Sequence, residues 1–211
     1  MNEKELLQQL ADEMDAFPSW DPVQLNADGT LVLTIDMNKG FTQSGALSSP
    51  RVKAILPRMR EFLETCREKG LYMAAVTDCH TPESLELASY PVHCLDDSDE
   101  PELAPEIWEF QQKVLIKNST NAFFAPGMDR LLEGVSTVVL VGCCTDICIE
   151  QFALTLKAWA NQADSPLNVI VPRQLVETYD APGHPAELWN GLALHTLAAN
   201  GVSVVNYLPA K

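Results

Sequence analysis

At 211 residues, with 46% hydrophobic and 20% charged side chains, the chain has the size and composition of one globular domain, which excludes a disordered or membrane-embedded chain. A formal net charge of −15 argues against nucleic acid or an anionic membrane as partner. No apolar run approaches the roughly 20 residues of a bilayer span, the first residues lack the basic start and apolar stretch of an export signal, and the six cysteines have no regular spacing, so a cytoplasmic protein with reduced thiols is expected.

In chain order, residues 1–28 predict an N-terminal helical extension: Leu6, Leu7, Leu10 and Met14 mark one helix face, Phe17-Pro18 ends it, and Asn26-Ala27-Asp28-Gly29 is turn chemistry. Residues 29–211 predict one domain. Short β-rich runs fall at Leu31–Ile35, Tyr72–Thr77, Val114–Ile116, Val138–Val141, Val169–Val171 and Val202–Val205, and helical patterns lie near 51–68, 128–133, 147–163 and 185–199. The runs are continuous rather than alternating, as in strands covered on both faces. The pattern predicts an α/β fold, a three-layer α/β/α sandwich around a six-stranded parallel sheet. Right-handed crossovers then place every strand's C-terminal end along one edge, where open α/β sheets bind ligands.

Four consecutive runs end in chemically active residues: Asp36; Asp78 and His80; Lys117; and Gly142-Cys143-Cys144-Thr145-Asp146-Ile147-Cys148. Cys148 falls just inside a helix predicted to start with Thr145 as N-cap. The helix dipole and free N–H groups there are expected to lower its pKa and to serve as an oxyanion site. Taken alone, Cys148 reads more simply as a small buried hydrophobe. Asp36 and Lys117 supply what a nucleophile needs: a base whose pKa burial raises, and a cation to hold its charge.

Asp78 and His80 lie two residues apart on one side of an extended segment, and His93 follows 13 residues after His80. This is a ligand set for one divalent ion, Zn²⁺, Fe²⁺ or Mn²⁺, with Glu86 as a candidate fourth ligand. A structural zinc site on Cys79, His80, His93 and Cys94 is the weaker alternative, because adjacent residues point to opposite faces. Singly, each histidine also reads as a loop residue bonded to backbone. The stretch between Gly70 and Gln112 carries ten Asp/Glu and no Lys or Arg, a field that attracts cations, although Asp96–Glu102 reads more simply as a solvated acidic loop.

Together these residues resemble the nicotinamidase/pyrazinamidase branch of the isochorismatase-like cysteine hydrolases, from about Leu31 to Val205. The segments that carry the resemblance are Thr34-Ile35-Asp36-Met37-Asn38-Lys39-Gly40-Phe41, Thr77-Asp78-Cys79-His80, Tyr90-Pro91-Val92-His93-Cys94, Ile116-Lys117-Asn118-Ser119 with Phe123, and Gly142 through Cys148, in family order. The resemblance implies a triad of Asp36, Lys117 and Cys148, and a cis peptide between Cys143 and Cys144. It also implies an oxyanion hole from the Cys144 and Cys148 N–H groups, a metal at Asp78, His80 and His93, and a substrate ring between Phe41 and Tyr90. The activity it implies is hydrolysis of a small carboxamide, nicotinamide first, to the acid and ammonia through a thioester, in a homo-oligomer that uses neither nucleic acid nor membrane. A carbamoyl or ureido substrate and a non-catalytic binding protein on the same fold are the alternatives. The chain departs from the family pattern where Asp-x-Gln-x-Asp-Phe becomes Asp36-Met37-Asn38-Lys39-Gly40-Phe41, where the pocket Trp becomes Tyr90, where Gly-Thr-x-Gly-Ala becomes Asp96-Asp97-Ser98-Asp99-Glu100, and at Pro172-Arg173-Gln174 after the fifth strand.

Overall fold

A computed structural model describes residues 3–208. Its elements in chain order are α1 (Glu3–Ala16), β1 (Ser19–Trp20), β2 (Thr30–Ile35), α2 (Lys39–Thr42), α3 (Pro50–Ala54), α4 (Leu56–Glu68), β3 (Tyr72–Asp78), β4 (Lys113–Lys117), α5 (Met128–Leu131), β5 (Thr137–Cys143), α6 (Glu150–Gln162), β6 (Asn168–Pro172), β7 (Val176–Glu177), α7 (Ala186–Ala199) and β8 (Ser203–Tyr207). The sheet runs β1-β8-β6-β5-β2-β3-β4, with β7 paired to the end of β5, and the pairings are parallel.

The six expected strands are present, and two two-residue strands, β1 and β7, bring the sheet to eight. Neither short strand carries an apolar run long enough to read as one; register against a neighbour makes them strands. β1 pairs with β8 through Ser19↔Asn206 and Trp20↔Tyr207, while Trp20 packs on Phe62 and Tyr207. α1 lies on α7, and Gly191 makes room: a Cβ there would come within 3.2 Å of the Leu10 side chain.

Alternation within buried strands divides the core. Leu31, Leu33 and Ile35 face Phe152, Leu156 and Leu197 of α6 and α7, whereas Val32 faces Met59, Phe62 and Leu63 of α4. Each such buried side chain contributes roughly 1.5–3 kcal/mol, so the central strands are fixed on both faces. The exception is the edge strand β4. There Val114 and Ile116 are exposed, so full coverage of every strand does not hold. The expected helix over 51–68 is two pieces, because Pro57 removes an N–H and starts α4 afresh. The pattern at 128–133 yields a single turn, α5.

The same strand order sets the C-terminal ends of β4, β3, β2 and β5 side by side. Ile35 pairs with Val76 and Gly142, and Asp78 pairs with Lys117. Residues distant in the chain therefore meet at one edge. Among the described residues no helix is long and apolar enough to cross a membrane.

Candidate active site

Asp36 follows β2 with φ 53°, a left-handed conformation unusual for a side chain bearing Cβ. Its N–H donates to Val76 O at 2.9 Å, and its Oδ1 accepts from Asp78 N–H at 3.1 Å. Gly142, beside it on β5, has φ 126°, and a Cβ there would lie 2.0 Å from Ile35 O. Only glycine lets the next segment approach this closely. The Cys143–Cys144 peptide bond is cis. A single π-helical turn, Thr145–Ile149, then leads into α6 and carries Cys148.

Lys117 joins the pieces. Its Nζ is 2.9 Å from Asp36 Oδ2, 3.9 Å from Cys148 Sγ, and in close contact with Asp78 Oδ1. Its side chain is 1% exposed, so the charge has no water to fall back on. Burial pulls the Lys117 pKa down, but Asp36, Cys148 and Asp78 outweigh it and hold the ammonium well above its usual range. Burial, reinforced by the neighbouring Asp78 charge and opposed by Lys117, pushes the Asp36 carboxyl up to about 7. Burial would also raise Asp78, yet Lys117 and the two imidazoles keep it well below the usual carboxylate range. Cys148 corrects the sequence expectation. Its thiol is pushed well above the ordinary value, because burial outweighs Lys117. Thr145 is not the cap either: Cys144 holds that position, its carbonyl accepting from Ile147 and Ile149 N–H at 3.1 Å.

The second half of the site lies beside Asp78. The ligand atoms of Asp78, His80, Glu86 and His93 all fall within 4.8 Å of one another. His80 Nε2 is 3.7 Å from Asp78 Oδ1 and 3.9 Å from Glu86 Oε1; His93 Nε2 is 3.7 Å from Asp78 Oδ2. Each imidazole engages its other nitrogen: His80 Nδ1 with Asn118 Oδ1, and His93 Nδ1 with Pro91 O, both at 2.7 Å. His80 Nε2 is buried with no hydrogen-bond partner. An orphaned nitrogen facing carboxylates, its ring oriented by an outer acceptor, is the donor set a divalent cation takes. Cys94 turns away from this cluster toward Asn38, and its burial pushes its thiol above the ordinary range, so the four-residue zinc alternative with the cysteines does not form.

Both halves open on one cavity of about 560 Å³. Phe41 and Tyr90 line it, their ring centroids 5.7 and 6.4 Å from that of His93. Arg51, Tyr179 and Asp180 also line it, and the sequence did not single them out. Pairing of β7 with Gly142 and Cys143 delivers Tyr179 and Asp180, and Arg51 forms ion pairs to Glu177 and Asp180 at 3.4 Å. His184 stacks between Tyr179 and Trp189 and bonds Asp146 Oδ2 at 2.8 Å, clamping that wall to the turn that carries Cys148. His195 lies on α7, away from the cavity, against Glu13.

Residues 30–197 match the Isochorismatase domain family. The chain belongs to that family. Within it, the chain is similar to Nicotinamidase 1 of Arabidopsis thaliana, with 28% identity covering 88% of this chain and 89% of the relative. Among solved structures, it resembles the N-carbamoylsarcosine amidase of Thermoplasma acidophilum (TM-score 0.67, 25% identity, 84% of this chain and 95% of that one). It also resembles the pyrazinamidase of Pyrococcus horikoshii in complex with zinc (TM-score 0.69, 22% identity, 84% and 99%). The fold is thus the isochorismatase-like one, and the chain is a nicotinamidase-like hydrolase.

Proposed function

We propose that this family member is a metal-assisted cysteine amidohydrolase that converts nicotinamide, or a related heteroaromatic carboxamide, to the acid and ammonia. The observation that carries the reading is Lys117, one buried cation touching Asp36, Asp78 and Cys148 at once. It ties a nucleophile to a metal-ligand cluster, a combination that positions a ring and attacks its carboxamide.

Asp36, with a carboxyl near neutrality, is matched to take a proton from a thiol that burial keeps protonated. Cys148 Sγ attacks the carboxamide carbon, and the C=O electrons move to oxygen. The Cys144 and Cys148 N–H groups stabilise that oxyanion. Protonated Asp36 gives its proton to the departing nitrogen, and ammonia leaves a thioester. Asp36 next takes a proton from water, whose oxygen attacks the same carbon; the thiolate departs and is reprotonated. Lys117 holds the charge of Asp36 and the thiolate throughout.

Asp78, His80 and His93, with Glu86 as fourth donor, would hold a divalent cation of the zinc type, which supplies a Lewis-acidic contact for a heteroaromatic ring nitrogen. Phe41 and Tyr90 flank the ring and exclude water from its faces. A cytoplasmic place in nicotinamide salvage and a homo-oligomeric state belong to the same reading. The N-terminal 28 residues are read as an extension of the catalytic domain.

Ammonia release from a panel of carboxamides and ureido compounds tests this. Nicotinamide turnover, lost in Cys148→Ala and reduced in His93→Ala, is expected. Turnover of a ureido compound with none of nicotinamide would replace the substrate and leave the triad. No turnover together with an unreactive Cys148 toward iodoacetamide would favour a binding protein.

A further inference from the structure

The acidic segment after His93 is not simply a solvated loop. Glu100 turns its side chain inward, and its Oε2 accepts the Cys94 N–H at 2.7 Å. Cys94 sits at φ 47°, a strained left-handed conformation that persists only where the surroundings impose it. Its carbonyl accepts the His80 N–H at 2.9 Å, and His80 O in turn accepts Asp96 N–H at 2.9 Å. Cys94 thus links His93, next to it in sequence, with His80. Glu100 has room because two glycines face it: a Cβ on Gly45 would lie 2.5 Å from Glu100 Oε1, and one on Gly40 would lie 3.1 Å from Glu100 Cβ. Gly40 N–H donates to Glu100 O at 3.0 Å, and Lys39 Nζ reaches Asp99 at 3.2 Å and Glu102 at 2.7 Å.

We propose that Glu100 is a positioning residue for the metal-ligand cluster: by holding the Cys94 N–H it fixes the strained turn that aims His93 and His80 at one point. The inference rests on the metal-binding reading above and adds the group that orients its ligands. What matters is reach and an acceptor oxygen, not charge. Gln at 100 keeps both. Asp keeps the charge but is one methylene too short.

Zn²⁺ affinity of the full chain, measured by competition with a chromogenic chelator, tests this without turnover. Glu100→Ala and Glu100→Asp are expected to weaken binding by about 10–100-fold, the usual effect of losing an outer partner. Glu100→Gln is expected to stay within a few-fold of wild type. Alkylation of Cys148 is expected to proceed at the wild-type rate in all three variants, which separates a local effect from unfolding. Wild-type affinity in Glu100→Asp, or equal loss in Glu100→Gln and Glu100→Asp, overturns the positioning role while leaving the metal reading intact. If wild type itself binds no Zn²⁺, Mn²⁺ or Fe²⁺, the metal reading falls and this inference with it.

Discussion

The thiol side and the metal side of the cavity are built differently. Asp36, Lys117 and Cys148 sit at or just beyond ends of strands whose registers are fixed by buried apolar faces. A one-residue slip there would exchange the two cores along β2 and β5 and turn Leu115 of β4 to solvent, so the placement is strongly enforced. His80, Glu86 and His93 instead ride on irregular chain between β3 and β4, held by single bonds such as His80–Asn118, His93–Pro91 O and Cys94–Glu100. The placement of Asp36, Lys117 and Cys148 is a by-product of the sheet, whereas the Asp78, His80, Glu86 and His93 cluster is assembled largely from local contacts and is the easier of the two to perturb.

The largest expected effect is on the thiol side. Cys148→Ala should abolish carboxamide hydrolysis, by about 10³-fold or more, with the melting temperature nearly unchanged. Measurable turnover in that variant would remove the nucleophile from the comparison. Lys117→Met tests whether the two sides are separate at all. Losing the buried cation leaves Asp36 and Asp78 uncompensated, and denaturant titration should show about 3–5 kcal/mol of destabilisation, with both Zn²⁺ affinity and Cys148 alkylation reduced. Asn118→Ala should affect the metal side alone, lowering Zn²⁺ affinity about 10–100-fold while alkylation continues at the wild-type rate. Lys39→Ala removes exposed ion pairs to the acidic segment and should change metal affinity less than Glu100→Ala does, with little shift in melting temperature. If Lys39→Ala had the larger effect, surface charge rather than the Cys94 bond would organise the loop.

Legibility followed the same division. Val138–Val141 and Leu31–Ile35 announce buried parallel strands, because a continuous apolar run has few other ways to be satisfied. β1 and β7 do not, since two residues have no periodicity and become strands only by pairing with β8 and β5. Asp36, Asp78, Lys117 and Cys148 were visible as reactive residues at run ends. That Lys117 also reaches Asp78 was not, because it depends on the Asp78↔Lys117 pairing. The position of Cys148 near a helix start is legible and favours a lowered pKa, but burial, which no local pattern shows, is the larger effect and raises it.

By itself the sequence determined the alternation of strands and helices, the edge at which they deliver their ends, and the residue types able to do chemistry there. These follow from local apolar patterning, which neighbours along the chain decide. Only the tertiary structure decided that one lysine serves two carboxylates and a thiol, that Arg51, Tyr179 and Asp180 complete the cavity wall, and that Glu100 turns inward to Cys94. Each of those contacts joins side chains through space, and its strength comes from burial that no local pattern encodes.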